Sequence, residues 1–440
     1  MAVSEKNGID MGTISEINGQ TVSSGGAYDP VAGTGTYTET VPTSGFIKIG
    51  GLRRSSSDTT TTDTSESYPR YSYGAQPVVN LSSDVDGKYM RVAEGKSDFT
   101  KITLGRFSAF GITSSGQLWE MGSSSSYQEG NNPTNFGQVT GVGDSDTGWT
   151  DVSSSYDGVL AINSGKMYYI GGNSYGQAGT GNQTSSFGSF TQVGSDSDWQ
   201  NVKRGRFHSF ATKTSSNVLY SAGRNANFRT GQNTSSGNTT SWTAIDDTNF
   251  TNSGVTDFGI NQDGGYLIVG GEVYVWGDED SNERFGLNSS SDVQIPTQTG
   301  KVSGTFQTDW VTGALTNNSM HLINTSGELY HTGEGSGRRG DGTSTDAKAG
   351  NFVQIGTDTD WQEVYTDPTG TASTDYGLSA LKGNKVYYWG YNQYGAVIDG
   401  TLSNNFTATV VIDQTLAAGN VWTPFLNAGS STRYAIAAIY

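Results

Sequence analysis

Three acidic phrases look at first like metal ligands: GDSDTGWTDV at 143–152, GSDSDWQNV at 194–202 and GTDTDWQEV at 356–364. Aspartates alternating with small residues after a glycine supply the hard oxygen donors that calcium takes. They are too few by themselves, since calcium takes about 6–8 oxygens. None of the phrases has the full spacing of an EF-hand loop with its closing bidentate glutamate. Asp, Ser, Thr and Gly are also ordinary turn formers, because their side chains bond nearby backbone groups. Each phrase stands just before a tryptophan, and that recurrence favours a turn over a metal site.

Other chemistry fares no better. GEGSGRRG at 333–340 has phosphate-loop glycine spacing, but such a loop works by leading into a helix within a βαβ unit, which the surrounding pattern does not offer. His208, His321 and His331 fall in different units or on different strands, so no metal triad is expected. His208 reads as a packing or hydrogen-bonding residue. There is no nucleophile elbow, no paired catalytic carboxylate and no nucleotide-binding lysine loop. The expectation is a non-enzyme with no catalytic, cofactor-binding or metal-binding residues.

Composition narrows the class further. The 440 residues include 62 glycines, 23 tyrosines and 9 tryptophans, so aromatic burial can build a core despite the small-residue bias. With no cysteine, disulfides and thiolate metal sites are excluded. A formal charge of −17 argues against nucleic acid, whose phosphates demand clustered Lys and Arg. No run reaches the roughly 18 apolar residues of a membrane span, so no membrane insertion is expected. MAVSEKNGIDMG has no apolar h-region, so no secretory signal is expected either.

What must position any site is a repeat. GFIKIG (45–50), GQLWEMG (116–122), KMYYIG (166–171), NVLYSAG (217–223), GEVYVWG (271–277), GELYHTG (327–333) and NKVYYWG (384–390) are versions of one strand ending in glycine. Short apolar or alternating runs bounded by glycine predict strands. Aromatic anchors accompany them at Phe99, Trp149, Trp199, Phe250, Trp310, Trp361 and Trp422, separated by 50 to 61 residues. That is the scale of a four-stranded propeller blade. Between anchor and glycine-ended strand lies a further apolar segment, as in GRFSAFGI (105–112) and GRFHSFAT (205–212).

These phrases resemble the RCC1-like repeat, best in DWQNVKRGRFHSFA (198–211) and KMYYIGGNSYGQAGTG (166–181). Trp149 with Val152, Trp199 with Val202 and Trp361 with Val364 keep its W-x-x-V spacing. The histidine of the family pattern is matched in register only by His208, and the middle of the fourth unit departs from it. Kelch repeats, the competing propeller family, fit less well. The resemblance implies an all-β, seven-bladed propeller over residues 44–440, its last blade closed by GFIKIG joined to STRYAIAAIY (431–440). Closure leaves no open sheet edge. RCC1 itself acts in nucleotide exchange on a small GTPase at chromatin, a role that the acidic balance here disfavours.

Residues 1–43 form an extended arm outside the repeat. It carries EKNGID (5–10) and EINGQT (16–21), where Asn-Gly predicts turns between short extended segments. ISEINGQTV at 14–22 is similar to phrases that open phage tail and fibre proteins, which implies an anchoring role for Ile14, Ile17, Asn18, Gly19 and Val22. The threonine run SSSDTTTTDTSES at 55–67 reads as a solvated loop. The expectation is therefore a virion structural protein. The arm would dock on other virion proteins within an oligomeric assembly, and the propeller would bind a protein, a host-surface glycan or a receptor. The alternatives are a bacterial protein-binding propeller, acting as inhibitor or scaffold in cytoplasm or at the surface, and a glycan-cleaving tailspike.

Overall fold

The structure is a computed structural model. It describes residues 99–104, 108–122, 137–366 (apart from 156, 185, 280–282, 336–338 and 348–349), 378–383, 385–390 and 405–413, together with short strands at 5–6, 9–10, 16–17, 20–21, 46–49, 88–91, 423–426 and 436–439. The architecture is an all-β propeller. Among the described residues the one helical piece is a 3-10 turn, Ala226–Phe228.

Six antiparallel four-stranded blades are each built from consecutive strands. Their first strands are Phe99–Leu104, Trp149–Ser154, Trp199–Arg204, Val255–Ile260, Trp310–Leu315 and Trp361–Tyr365. A further four-stranded sheet draws on both ends of the chain, in the order Thr423–Leu426, Ile436–Ile439, Phe46–Ile49, Lys88–Arg91. Its central pairing sets Ile49 opposite Ala437 and Ile47 opposite Ile439. The expected seven units thus appear as six blades of consecutive strands, and the count of seven depends on this composite sheet. In the arm, Glu5–Lys6 pairs with Ile9–Asp10 and Glu16–Ile17 with Gln20–Thr21, each across an Asn-Gly of the sequence.

The glycines that open the third strands do specific work. In blade two the turn is Ser164-Gly165, with φ of 51° and 79°, the doubly left-handed geometry that matches hairpin twist. The anchor of the next blade closes onto that turn: Trp199 N donates to Gly165 O at 2.9 Å. The same bond joins Trp149 to Gly116, Trp310 to Gly271 and Trp361 to Gly327, at 3.0–3.1 Å. A Cβ at Gly271 would lie 2.0 Å from Thr308 O, so the close approach excludes any side chain.

The cores lie between blades. Trp149 and Val152 pack with Phe110, Ile112 and Leu118 of the preceding blade. Trp199 and Val202 pack with Leu160, Ile162 and Met167, and Trp361 and Val364 with Ala314, Ile323 and Leu329. Each anchor is also met edge-on by a third-strand tyrosine: Tyr168, Tyr220, Tyr330 and Tyr387, at 5.1–5.6 Å between ring centroids. The W-x-x-V spacing follows from this packing. A bulge after the tryptophan lets residue one and residue four of the strand both turn toward the preceding blade.

Candidate functional site

Antiparallel blades put the first-to-second and third-to-fourth connections on one face, here the upper. The second-to-third turns and the inter-blade connections occupy the lower face. All three acidic phrases lie on the lower face, where lysines neutralise them. Lys166 pairs with Asp144 at 2.8 Å, Lys213 with Asp196 at 2.7 Å and Lys382 with Asp358 at 2.7 Å. Lys213 stands opposite Trp199 in register, and Lys382 opposite Trp361. Their ammonium groups lie 4.7 and 4.6 Å from those indole rings, a cation–π contact. Hydrogen bonding to the aspartates opposes the desolvation of Lys213 and Lys382 and raises both amines. At Trp199 and Trp361 the phrases are thus the far half of a lysine clamp on the anchors. Among the described residues no group of three or more His, Asp or Glu is placed to hold a metal.

The first strands face one another around the axis, and side chains rather than a ladder join them. Asp151 Oδ2 accepts Val202 N of the next blade at 2.8 Å. Thr103 accepts Ser154 N and Ser153 accepts Arg204 N, both at 3.0 Å. Asp257 repeats the device, accepting Gly313 N at 3.1 Å, Thr312 Oγ1 at 3.0 Å and Tyr266 Oη at 2.9 Å. Lys101 contacts Asp151, and Lys203 reaches Asp257 at 3.7 Å. Burial, aided by the charge of Lys203, lowers the Lys101 amine to about 8. Burial and then Asp257 raise the Glu363 carboxyl.

The upper face is held by buried arginines. Arg204, fully buried, donates to Asp157 at 2.9 Å and to Tyr169 Oη at 3.3 Å in the preceding blade. Arg229 donates to Asp263 at 2.6 Å, and Arg284 reaches Asp263 and Asp278 at 3.9 and 3.7 Å. The third-to-fourth connections are pinned from within. Asn173 accepts Ala178 N at 2.8 Å, Asn225 accepts Thr230 N at 3.2 Å, and Glu279 at the same repeat position accepts Phe285 N at 3.2 Å. His208 Nε2 donates to Gly264 O, 3.2 Å away. Burial first, then the charges of Arg229 and Arg204, depress its imidazole to about 3.

The sequence matches no family model and no curated protein. Solved structures do match. Human WBSCR16 superposes with a TM-score of 0.65 at 16% identity, over 90% of this chain and 98% of that one. Prp20p of Saccharomyces cerevisiae superposes with a TM-score of 0.62 at 11% identity, over 89% and 91%. The yeast RCC1 (Prp20) from its complex with Kap60 gives 0.59 at 10% identity, over 80% and 83%. The fold is that of the RCC1-like propellers.

Within this RCC1-like propeller the sequence-derived residues fall unevenly. Trp149, Trp199, Trp310 and Trp361 open their first strands and are 2–4% exposed, and Phe99 opens blade one at 6%. Phe250 does not open blade four; Val255 does, donating to Asn217 O at 3.1 Å. Phe250 instead stacks on Tyr274 at 4.7 Å and 27°, so an aromatic from the preceding connection meets the third-strand tyrosine. Asn217 holds the left-handed turn position that Gly165 and Gly271 take in the neighbouring blades, with φ 51°, and accepts the same bond. Trp422, Ile14, Asn18, Gly19, Val22 and the threonine run lie outside the described residues, as do residues 336–338 of GEGSGRRG; of Ile17 only its strand is described. His321 and His331 lie on different strands, as read, but those strands are neighbours. They face each other across adjacent strands of one blade, His331 Nδ1 to His321 Nε2 at 3.2 Å, both fully buried. The buried arginines went unread as well. Their signal was an arginine inside or beside an apolar strand, where charge is rare unless paired.

Proposed function

We propose that this chain is a non-catalytic protein-binding propeller that presents its upper face to a protein partner. The pinned upper-face connections carry the reading. Asn173, Asn225 and Glu279 hold them from inside, and Arg204, Arg229 and Arg284 hold them from below. A surface ordered before contact loses less entropy on binding. Proteins of the same fold are described in such roles: Prp20p with Gsp1p and histones, and yeast RCC1 with Kap60. Fold alone does not transfer a partner. Cross-linking mass spectrometry in the native host should give partner links to residues 174–181, 225–237 and 283–292. A partner linked only through the lower face would overturn the assignment.

In the same reading the composite sheet is the seventh blade, closing the ring between residues 44 and 440. Its strand Thr423–Leu426 lies against Phe99–Leu104 of blade one, which supports closure. Deleting residues 43–50 should lower the melting temperature of the whole ring; an unchanged melting temperature would exclude closure.

A narrower reading places the chain in a phage particle as a tail, neck, fibre or capsid-decoration protein, anchored through residues 1–43 to other virion proteins. It rests on ISEINGQTV and on the pairing of Glu16–Ile17 with Gln20–Thr21. Mass spectrometry of purified virions tests it, and absence from the particle would sink it.

A further inference from the structure

One inter-blade connection departs from the others. The connections that lead into Trp149, Trp199 and Trp361 carry the acidic phrases. Between blades four and five the chain instead folds an extra hairpin, Lys301–Val302 against Thr305–Phe306. No other described inter-blade connection holds one. Ser303-Gly304 turns it, with φ of 51° and 82°, the doubly left-handed geometry of a tight hairpin. The hairpin is tied down at three points. Gln307 N donates to Gly300 O at 3.1 Å, Phe352 N of blade five to Lys301 O at 2.7 Å, and Gly304 N to Asn351 Oδ1 at 2.7 Å.

So placed, the hairpin walls a cleft of about 300 Å³ in the seam between the two blades. That is the lower end of the range for small-molecule sites, about 300–1,000 Å³. The outermost strand of blade four supplies Gln298 and Thr299, its third-to-fourth connection supplies Asn288, and the matching connection of blade five supplies Asn351. Lys301 and Phe306, opposite each other in register on the hairpin, complete the lining.

The chemistry of this lining selects a ligand. No Asp or Glu lines the cleft. The Lys301 ammonium makes no ion pair or hydrogen bond among the described residues, and its contact is the Phe306 ring, 4.5 Å from the centroid. It is therefore open to a carboxylate. The side-chain amides of Asn288 and Gln298 likewise have no hydrogen-bond partner among the described residues. Each offers a donor and an acceptor, the combination that neighbouring hydroxyls require. Phe306 is 39% exposed and offers an apolar ring beside them. Thr299 and Asn351 are already bonded within the protein and shape the cleft. A peptide carboxylate would use Lys301 alone and leave both amides unpaired, whereas an acidic sugar uses every one of these groups. We propose that Asn288, Gln298, Lys301 and Phe306 bind a hexuronate, its carboxylate on Lys301, its hydroxyls on the two amides and its C–H face toward Phe306. The site stands apart from the upper-face reading and does not depend on it.

Saturation-transfer NMR on the full chain tests it, with methyl β-D-glucuronide and methyl β-D-glucoside titrated in parallel. The two differ only in a carboxylate against a hydroxymethyl group. The glucuronide should saturate with a Kd of about 1 mM, and the glucoside should bind about tenfold more weakly or worse. Lys301→Met keeps the stem and removes the charge, and should erase that preference. Lys301→Arg should retain it, which separates loss of charge from misfolding. Phe306→Ala should weaken both sugars about two- to tenfold, and Lys166→Ala, remote from the cleft, should bind as the parent does. Free glucuronate separates the two sources of such a sugar: tighter binding of the glycoside assigns the site to a glycan chain, tighter binding of the free acid to a monosaccharide, and either supports the site. No saturation by about 10 mM, equal binding of the two glycosides, or an unchanged preference in Lys301→Met would overturn it. Acetate or triglutamate binding as tightly as the glucuronide would also overturn it, by showing that the cleft reads a carboxylate and not a sugar.

Discussion

The two faces of the propeller use charge in opposite ways. On the lower face, Asp144, Asp196 and Asp358 are about half exposed, and two of the lysines they hold, Lys213 and Lys382, sit on anchor tryptophans. On the upper face, Arg204 and Arg284 have 0–1% of their side-chain surface exposed, and backbone carbonyls complete their shells. Exposed pairs are screened and individually weak, whereas a buried charge that loses its partner is left without solvation. The same two residue classes therefore act as light clamps below and as keystones above.

The largest effect should come from above. Arg284→Ala removes a buried cation from Asp278 O, Asn317 O and two carboxylates, and should cost about 3–5 kcal/mol in chemical denaturation. A loss under ~1 kcal/mol would erase the contrast between the faces. Next is a backbone change below. Gly271→Ala places a Cβ 2.0 Å from Thr308 O at φ +79° and should cost about 1–3 kcal/mol. The lower face would then be sensitive in its turns and tolerant in its charges.

A pH titration separates the faces without mutating a charge. His208 is about 3 when folded, below its unfolded value, so the unfolded chain binds the proton first as pH falls. Its contribution is complete above about pH 6.5 and is lost toward pH 3, at roughly 1.4 kcal/mol per pH unit. Thermal melts of His208→Gln should show a shallower acid slope than the parent; equal slopes would remove His208 from the account. The smallest effect should be Lys213→Met, about 0.2–1 kcal/mol and reduced by salt. That variant keeps much of the packing over Trp199 and discards the pair with Asp196.

Much of this was legible in the chain. Trp149, Trp199, Trp310 and Trp361 announced the period because each must fill a gap between blades and reach a turn glycine at fixed spacing. Phe250 misled because the reading matched an aromatic to a period, while the structure matches a strand start to a turn. The strand opens at Val255, which bonds to Asn217 O as the tryptophans bond to their turn glycines, and Phe250 reaches Tyr274 from outside it. The contact between His321 and His331 was not legible for a related reason. Ten residues apart in sequence, they become neighbours only because one hairpin sets them opposite each other.

By itself the sequence determined the strand character, the repeat length and the glycine positions, because alternation, aromatic size and left-handed turns are local properties. Tertiary structure alone decided which charges meet. The acidic phrases took up lysines 17 to 24 residues away, and two of those lysines lie on anchor tryptophans. Asp151 and Asp257 became links between blades through partners about one repeat away.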